Sequence, residues 1–496
     1  MSGATRLSER LRYAVANPKI DDEFDIGTEL GAMLADIGMS VNDGGGAVGF
    51  TGLDPIVPSI ARLGGAAALG LVQQSIVAAA LHRDRGGSGQ DISSNLAEAI
   101  RRLAPGMGGP WELLNGFPGV REDPNLMSLL RFYPTADGRE VLAANLYPGL
   151  KAKMMALLQC WDQPASIGDA IARHTADDLE CMFESAGLVL CKVRTLDEFM
   201  REPVYDYLAA RPLIEIEKIA DGPPQPMPTV GEQPLSGIRA LGMGHVIAGA
   251  GAGRSLASLG ADVLNIWRPN EFEMESLYLT ANIGMRSARL DPRSEAGKQR
   301  LSELVSNADI FFANRRPGLL KEFGLDAATM ALARPGIIHV TMSTHGEGGP
   351  WANRPGFDQV AGAVSGMLAM EGSAGKAALP PTIIVNDYLV GWLAATGAMT
   401  ALRRRATEGG SYRVHVSLTR VALWILSLGV FDQAYARRVA GTDGSHVLRE
   451  PRLFHADTSM GRYQGVCESV DMSVTPRHFQ TVLVPRGSCQ PEWLAG

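Results

Sequence analysis

The sequence predicts an α/β protein, with a parallel sheet in its C-terminal half and a smaller α+β domain in its N-terminal half. Three observations carry that expectation. Downstream of the middle, short apolar or β-branched runs at Ile238–Met243, Asp262–Trp267, Asp309–Ala313 and Ile337–Met342 alternate with helical stretches, the pattern of βα units with parallel strands. A stretch with four prolines and two glycines, DGPPQPMPTVGEQ at 221–233, divides the chain as a linker does. Upstream of it the pattern is less regular, with helix-like segments at Ala66–Leu81, Leu150–Leu158 and Thr175–Ser185. There, in FYPTADGREVLAA, the Asp137-Gly138 pair lies between β-rich runs and predicts a hairpin. The expected division is therefore 1–220, the linker 221–233, a large domain at 234–420 and an extension at 421–496.

At 496 residues, with 46% hydrophobic and 20% charged residues, the chain has the composition of an ordinary globular protein of two or three domains. Its 46 Lys and Arg against 53 Asp and Glu give a net charge of -7, which argues against general nucleic-acid binding. A local basic pocket for one small anion stays open. The five cysteines form no CxxC pair, and no HExxH or HxH occurs, so they read as reduced and structural and no metal site is expected. The charged N-terminus does not fit an export signal. The apolar stretches Leu389–Leu402 and Val421–Phe431 are too short or too interrupted to span a bilayer, and the expected setting is the cytoplasm, with no membrane partner.

Three segments hold candidate chemistry. In Gly244–Pro269 a glycine-rich turn follows a strand and opens a helix, but from Gly249 and Gly251 the third glycine of GxGxxG falls on Arg254. The next strand ends at Trp267-Arg268 rather than on a ribose-binding acid, which speaks against a dinucleotide. Glycines at a helix start with Arg268 nearby suit a phosphate, or else simply let helix and sheet pack closely. Asp387 stands where the run PPTIIVN enters a long helix, with Asn386 as the expected N-cap. It either caps that helix or presents a carboxylate at a closely packed helix start. The segment from His345 to Pro350, HGEGGP, is either a plain turn or, through Gly346, Gly348 and Gly349, a source of backbone N–H groups for an oxyanion. No GxSxG motif occurs, which weakens a serine hydrolase reading.

The segment ending at Leu96 parallels the one ending at Leu418 at an offset of 322, with Leu71/Leu393, Ala79/Ala401, Arg83/Arg405 and Gly87/Gly409 identical. Both read as helix, glycine turn, strand.

Seven ordered motifs between Pro234 and Leu418, PLSGIRAL, HVIAGAGAGRSLASLGADVLNIWRP, NIGMRSARLD, ADIFFANRRPGLLKEFGLD, HGEGGPWANRPGFDQVAGAVSG, VNDYLVG and GGSYRVHVSL, resemble the N-terminal part of the class III CoA-transferases. That family includes formyl-CoA transferase, carnitine CoA-transferase and α-methylacyl-CoA racemase. The upstream half resembles the other end of the same family, so the order of the domains looks rearranged. The resemblance implies a Rossmann-like large domain and a catalytic aspartate at Asp387, with Gly65 at the same place in the upstream copy. It implies CoA contacts at His245, Val246, Ile247, Arg268, Leu290, Asn314 and Arg315. Ala250, Trp267 and Glu322 depart from the family's usual residues. Phe357, in place of the histidine of the racemase branch, disfavours racemisation; an acyl-CoA isomerase or lyase and a non-catalytic relative are the other readings. The expected activity is transfer of CoA from an acyl-CoA to a carboxylic acid through aspartyl intermediates, with CoA as substrate and no permanently bound cofactor. A homodimer is expected, because the small-residue faces at Gly391–Ala398 and Ala66–Ala80 suit close packing.

Overall fold

In a computed structural model that describes residues 3–120, 125–229 and 231–494, the apolar runs of the C-terminal half become strands of one sheet. Its members are β1 (Glu215–Ala220), β2 (Arg239–Met243), β3 (Asp262–Trp267), β4 (Arg286–Arg289), β5 (Ile310–Ala313), β6 (Ile338–Ser343) and β7 (Ser411–Ser417). The order across its seven strands is β4-β3-β2-β5-β6-β7-β1. All neighbours are parallel except β1, which pairs antiparallel with β7. Every residue of β5 is buried, which is why this strand reads as an unbroken apolar run. The chain leaves β2 toward one edge and returns at β5 toward the other. That reversal opens a crevice beyond the carboxyl ends of β2 and β5, where sheets of this kind receive ligands.

The upstream half contains the expected hairpin, Phe132–Pro134 against Glu140–Leu142, with Gly138 at φ +73° in its turn. It also contributes β1 to the large sheet, so the 221–233 segment divides the sequence without dividing the core. A single cluster of buried apolar residues extends from Leu7 to Met472. The segment itself is held down by Arg85, whose guanidinium donates to the carbonyls of Pro228, Thr229, Pro234 and Ser236 at 2.6–2.9 Å; Val230 lies outside the described residues.

The two copies of the repeat meet inside the chain. Helix α1 (Leu63–Asp84) packs along the long helix that begins at Asn386 and ends at Glu408. A Cβ on Gly70 would lie 3.1 Å from Leu389 and 3.2 Å from Trp392, and Gln74 Nε2 donates to the Trp392 carbonyl at 2.9 Å. The faces from which a dimer is expected are thus buried against each other within one chain. Helix α1 is long and apolar enough to cross a membrane, but it lies wholly inside the protein. After it, strand Gln90–Asn95 pairs parallel with Gly45–Thr51, and Asp471–Met472 completes that small sheet.

The 421–496 segment is therefore part of the body of the protein, and a buried charge cluster fastens it. Glu468 pairs with Arg254 at 2.9 Å and with Arg102 at 3.6 Å, and Arg102 also faces Glu112 at 3.6 Å. Burial works to raise the Glu468 pKa, but Arg102, Arg254 and Arg477 outweigh it and hold the group at about 2. A folded pKa below the unfolded one means stabilisation that is present above about pH 4.5 and is lost as pH falls toward 2. Glu468→Gln, which leaves buried guanidinium groups without their anion, is expected to cost about 3–5 kcal/mol at pH 7, with the difference from wild type shrinking below pH 4. Urea denaturation at several pH values checks this; a variant within 1 kcal/mol of wild type at pH 7 would refute it.

Candidate active site

The site is built where the crevice of the sheet meets the start of a helix. Helix α2 (Ala248–Ser258) leaves the end of β2, and helix α3 (Asp358–Val364) precedes helix α4 (Asn386–Glu408). At Gly391 in α4 a Cβ would lie 3.0 Å from the Ala248 carbonyl and 3.1 Å from the Ala252 amide. Glycine there brings α4 onto the backbone of α2, so that Asp387, one turn earlier, stands at the crevice.

Asn386 is the first helical residue rather than the N-cap, a position Val385 occupies. The capping role falls to a remote side chain. The Asp358 carboxylate accepts the Asp387 amide at 2.7 Å and the Val385 amide at 3.2 Å. Two buried carboxyl groups consequently share one helix start, Asp358 at 3% exposure and Asp387 at 8%. Burial raises the Asp358 pKa to about 6, against the amides that favour its charge. Burial, and then the negative charge of Asp358, push Asp387 well above the ordinary carboxylate range. The first proton to leave the pair therefore leaves Asp358, whose charge the amides stabilise.

Asp387 lines a cavity of about 700 Å³. Its wall gathers His245, Val246, Arg268, Asn314 and Arg315 of the sequence-predicted residues. Arg268 Nη2 lies 2.9 Å from Glu271 Oε1, and Arg315 pairs with the same oxygen. Glu271 is one carboxylate against these two guanidinium groups, and among the described residues Arg268 Nε and Arg315 Nη2 have no hydrogen-bond partner. Such donors fit a phosphate. Asn314 locks the turn after β2, donating to the His245 carbonyl at 2.9 Å and accepting its amide at 3.1 Å. Val246, at φ +59°, donates its amide to Glu273 Oε2 at 2.7 Å. Burial, then Arg315 and Arg268, hold the His245 pKa well below its ordinary value, so its ring is neutral.

The upstream half completes the wall. The Tyr147 hydroxyl donates to Glu273 Oε1 at 2.6 Å, and its ring lies parallel to Phe357, 4° off, with centroids 6.0 Å apart. Leu150 and Val189 join it.

Other expected residues lie elsewhere. Ile247 belongs to the main core and Leu290 to the apolar cluster on Leu241 and Phe311; both side chains are consumed by packing. Gly346, Gly348 and Gly349 wrap the Tyr207 ring, where an added Cβ would come within 2.6, 3.1 and 2.7 Å of it. The Gly346 amide is given to Ser343 Oγ and the Gly348 amide to the Tyr207 hydroxyl, so neither is free for an oxyanion. Sequence reasoning missed Asp358, Tyr147, Glu271 and Glu273. The acids just after Arg268, in RPNEFEME, were a signal for the last two; nothing local links Asp358 to a helix beginning 28 residues later.

The upstream copy repeats the cap without the carboxylate. Asp54 accepts the amides of Gly64 and Gly65 at 3.1 and 2.7 Å. A side chain at Gly65 would press on Asp54 and on Phe24, 3.2 and 3.3 Å from its Cβ.

A carboxyl whose folded pKa is raised makes the native state bind the extra proton, so stability falls as pH rises from the unfolded pKa near 4 through the folded value. A tenfold change in proton affinity is worth about 1.4 kcal/mol. Asp387→Asn is therefore expected to raise stability at pH 8 by about 1 kcal/mol or more, seen as a higher melting temperature, with the gain fading toward pH 4. Thermal denaturation across that range checks it; parallel curves for both proteins would contradict it.

Comparison with known proteins concerns the half of the chain that holds this site. Residues 235–458 match the model of CoA-transferase family III. The acetyl-coenzyme A transferase nodX of Hypoxylon pulicicidum is 33% identical over 213 residues, 42% of this chain and 36% of that protein. The succinyl-CoA–L-malate CoA-transferase alpha subunit of Chloroflexus aurantiacus is 30% identical over 240 residues, 44% of this chain and 56% of that one. A solved CaiB/BaiF family protein from Brucella suis is 23% identical, with a TM-score of 0.36 over 47% of this chain and 66% of its own. The chain spans between about a third and just over half of the length of these curated relatives. Residues 235–458, which hold Asp387, Asp358 and both arginines of the cavity wall, are the part of the chain that is similar to CoA-transferase family III.

Proposed function

We propose that this protein moves coenzyme A from an acyl-CoA to a carboxylic acid, with Asp387 as the covalent carrier and CoA as substrate. The observation that carries the reading is a buried carboxyl with a raised pKa, Asp387, facing a cavity that also holds a pair of half-neutralised arginines. Arg268 and Arg315 hold a phosphate of CoA, and the turn fixed by Asn314 sets the backbone against which it lies. The Asp387 carboxylate attacks the thioester carbonyl, the C–S bond breaks, and a mixed anhydride and CoA thiolate form. The thiolate attacks the aspartyl carbonyl and releases the first acid, leaving an aspartyl-CoA thioester. The acceptor carboxylate attacks that carbonyl and expels the thiolate, which takes the new acyl group and restores Asp387. Each acylation removes one charge from beside Asp358, so the repulsion that raises the Asp387 pKa is relieved as the reaction proceeds.

The donor and acceptor belong to the class of organic or fatty acids, and the setting consistent with this reading is the cytoplasm. Tyr147, Leu150 and Asp387 come from one chain, so the reading needs no residue from a second copy, whether or not two copies associate.

Incubation with acyl-CoAs and free acids, with product masses and CoA binding read separately, tests this. Asp387→Ala is expected to abolish transfer and keep CoA binding, whereas Arg268→Ala weakens binding by about 1.5–3 kcal/mol, the range for a charge-assisted hydrogen bond. Transfer near the wild-type rate in Asp387→Ala would sink the covalent mechanism.

The nucleophile must be ionised, so the rate is expected to rise with pH along a limb above the ordinary carboxylate range. Asp358→Asn removes the neighbouring charge and moves that limb to lower pH. A limb that stays in place in the variant would show that the two carboxyls are not linked.

A further inference from the structure

A second constellation borders the same cavity through Ser343. Neighbouring strands β6 and β7 are in parallel register with Thr341 opposite His415 and Ser343 opposite Ser417. Alternation along a strand places Thr341, Ser343 and His415 on one face. Ser343 lines the cavity, while the His415 side chain is fully buried. Ser343 Oγ lies 3.1 Å from His415 Nε2, and His415 Nδ1 lies 3.0 Å from Thr341 Oγ1 and 3.5 Å from Glu347 Oε1. The Thr341 hydroxyl donates to Glu347 Oε1, and Arg413 Nη1 holds the other carboxylate oxygen at 2.6 Å.

Proton counting gives this chain a direction. Against burial, the Thr341 hydroxyl on Oε1 and the Arg413 guanidinium on the other oxygen favour an ionised Glu347, so it accepts. Thr341 spends its one proton on Glu347 and must therefore accept from Nδ1–H. With the ring proton on Nδ1, Nε2 is an acceptor, and Ser343 supplies the proton. The Gly346 amide donates to Ser343 Oγ at 2.9 Å and holds it beside His415. A serine, a base and an orienting acid in hydrogen-bonded sequence are the working parts of an activated nucleophile. They come from two strands and the loop after β6, which is why no serine-hydrolase motif marks them.

We infer that Ser343 is a second nucleophile in this cavity, and that the protein hydrolyses acyl thioesters through an acyl-Ser343 intermediate when no carboxylic acid is offered. Ser343 Oγ forms a bond to the acyl carbon as its proton passes to His415 Nε2. The C–S bond breaks, and the thiolate takes that proton and departs as the thiol. Water then attacks the acyl-serine ester, gives a proton to Nε2, and releases the acid as the proton returns to Ser343. Only the identity of the natural thioester as an acyl-CoA rests on the CoA-transfer reading.

The test uses probes that contain no CoA, so it stands or falls apart from that reading. The folded wild-type protein is treated with a fluorophosphonate, whose P–F bond breaks as Ser343 Oγ bonds to phosphorus, and the labelled peptide is read by mass spectrometry. In parallel, release of p-nitrophenol from p-nitrophenyl acetate is followed in wild type, Ser343→Ala and His415→Gln. The expected result is label on Ser343, loss of label and of ester hydrolysis in Ser343→Ala, and a fall of roughly 10²-fold or more in His415→Gln, the scale of a lost general base. Absence of label at Ser343 in the wild-type protein overturns the proposal without any variant, as does unchanged hydrolysis in folded Ser343→Ala.

Discussion

The carboxylate of Asp358, set against the first amides of α4, is the contact on which the rest of the site depends. A buried helix start needs its amides satisfied, and here one side chain from α3 takes both the Val385 and the Asp387 N–H. The same contact places a second negative charge beside Asp387. Structure and reactivity are thus linked through one group: the anion that completes the helix is also the anion that keeps its neighbour from ionising easily. Removing the carboxyl at 387 would relax the fold, and retaining it holds a buried carboxyl with a raised pKa at the crevice.

Around that pair the backbone is brought unusually close. Gly391 lets α4 touch the first turn of α2, and Gly249 admits Asn314, whose Oδ1 would lie 2.3 Å from a Cβ there. The glycine-rich segment, which resembles a dinucleotide turn, serves this close contact between helices and strands, and Arg254 in the position of its third glycine goes into the buried cluster with Glu468. The positive charges of the cavity wall stand on Arg268 and Arg315. Their shared partner Glu271 keeps them from repelling each other while leaving donors unspent.

The repeat shows the same device used twice for different ends. Asp54 caps α1 through the amides of Gly64 and Gly65, with its own pKa raised chiefly by burial, as Asp358 caps α4. In the first copy the neighbouring side chain is a hydrogen atom and Phe24 lies against it; in the second it is a carboxylate and a cavity lies before it. One copy became packing and the other a site, and the two helices hold each other in place.

Much of the frame was legible along the chain. Parallel strands buried on both faces declare themselves as short apolar runs, Asp137-Gly138 as a turn, and the 322-residue offset as two like helices; the ordered motifs pointed to Asp387 and to the basic residues beyond β3 and β5. Those signals are local, arising from periodicity, backbone freedom or contiguous residues. What the tertiary structure decided involves partners far apart in sequence: Asp358 over Asp387, Tyr147 inserted from the upstream half, β1 joining the large sheet across the proline-rich segment, and the glycines of HGEGGP turned around Tyr207 instead of the cavity. A side chain's partner across 29 or 126 residues leaves no periodic trace, because it is set by which surfaces meet when the core closes, and only then does a capping acid become the neighbour that raises the pKa of Asp387.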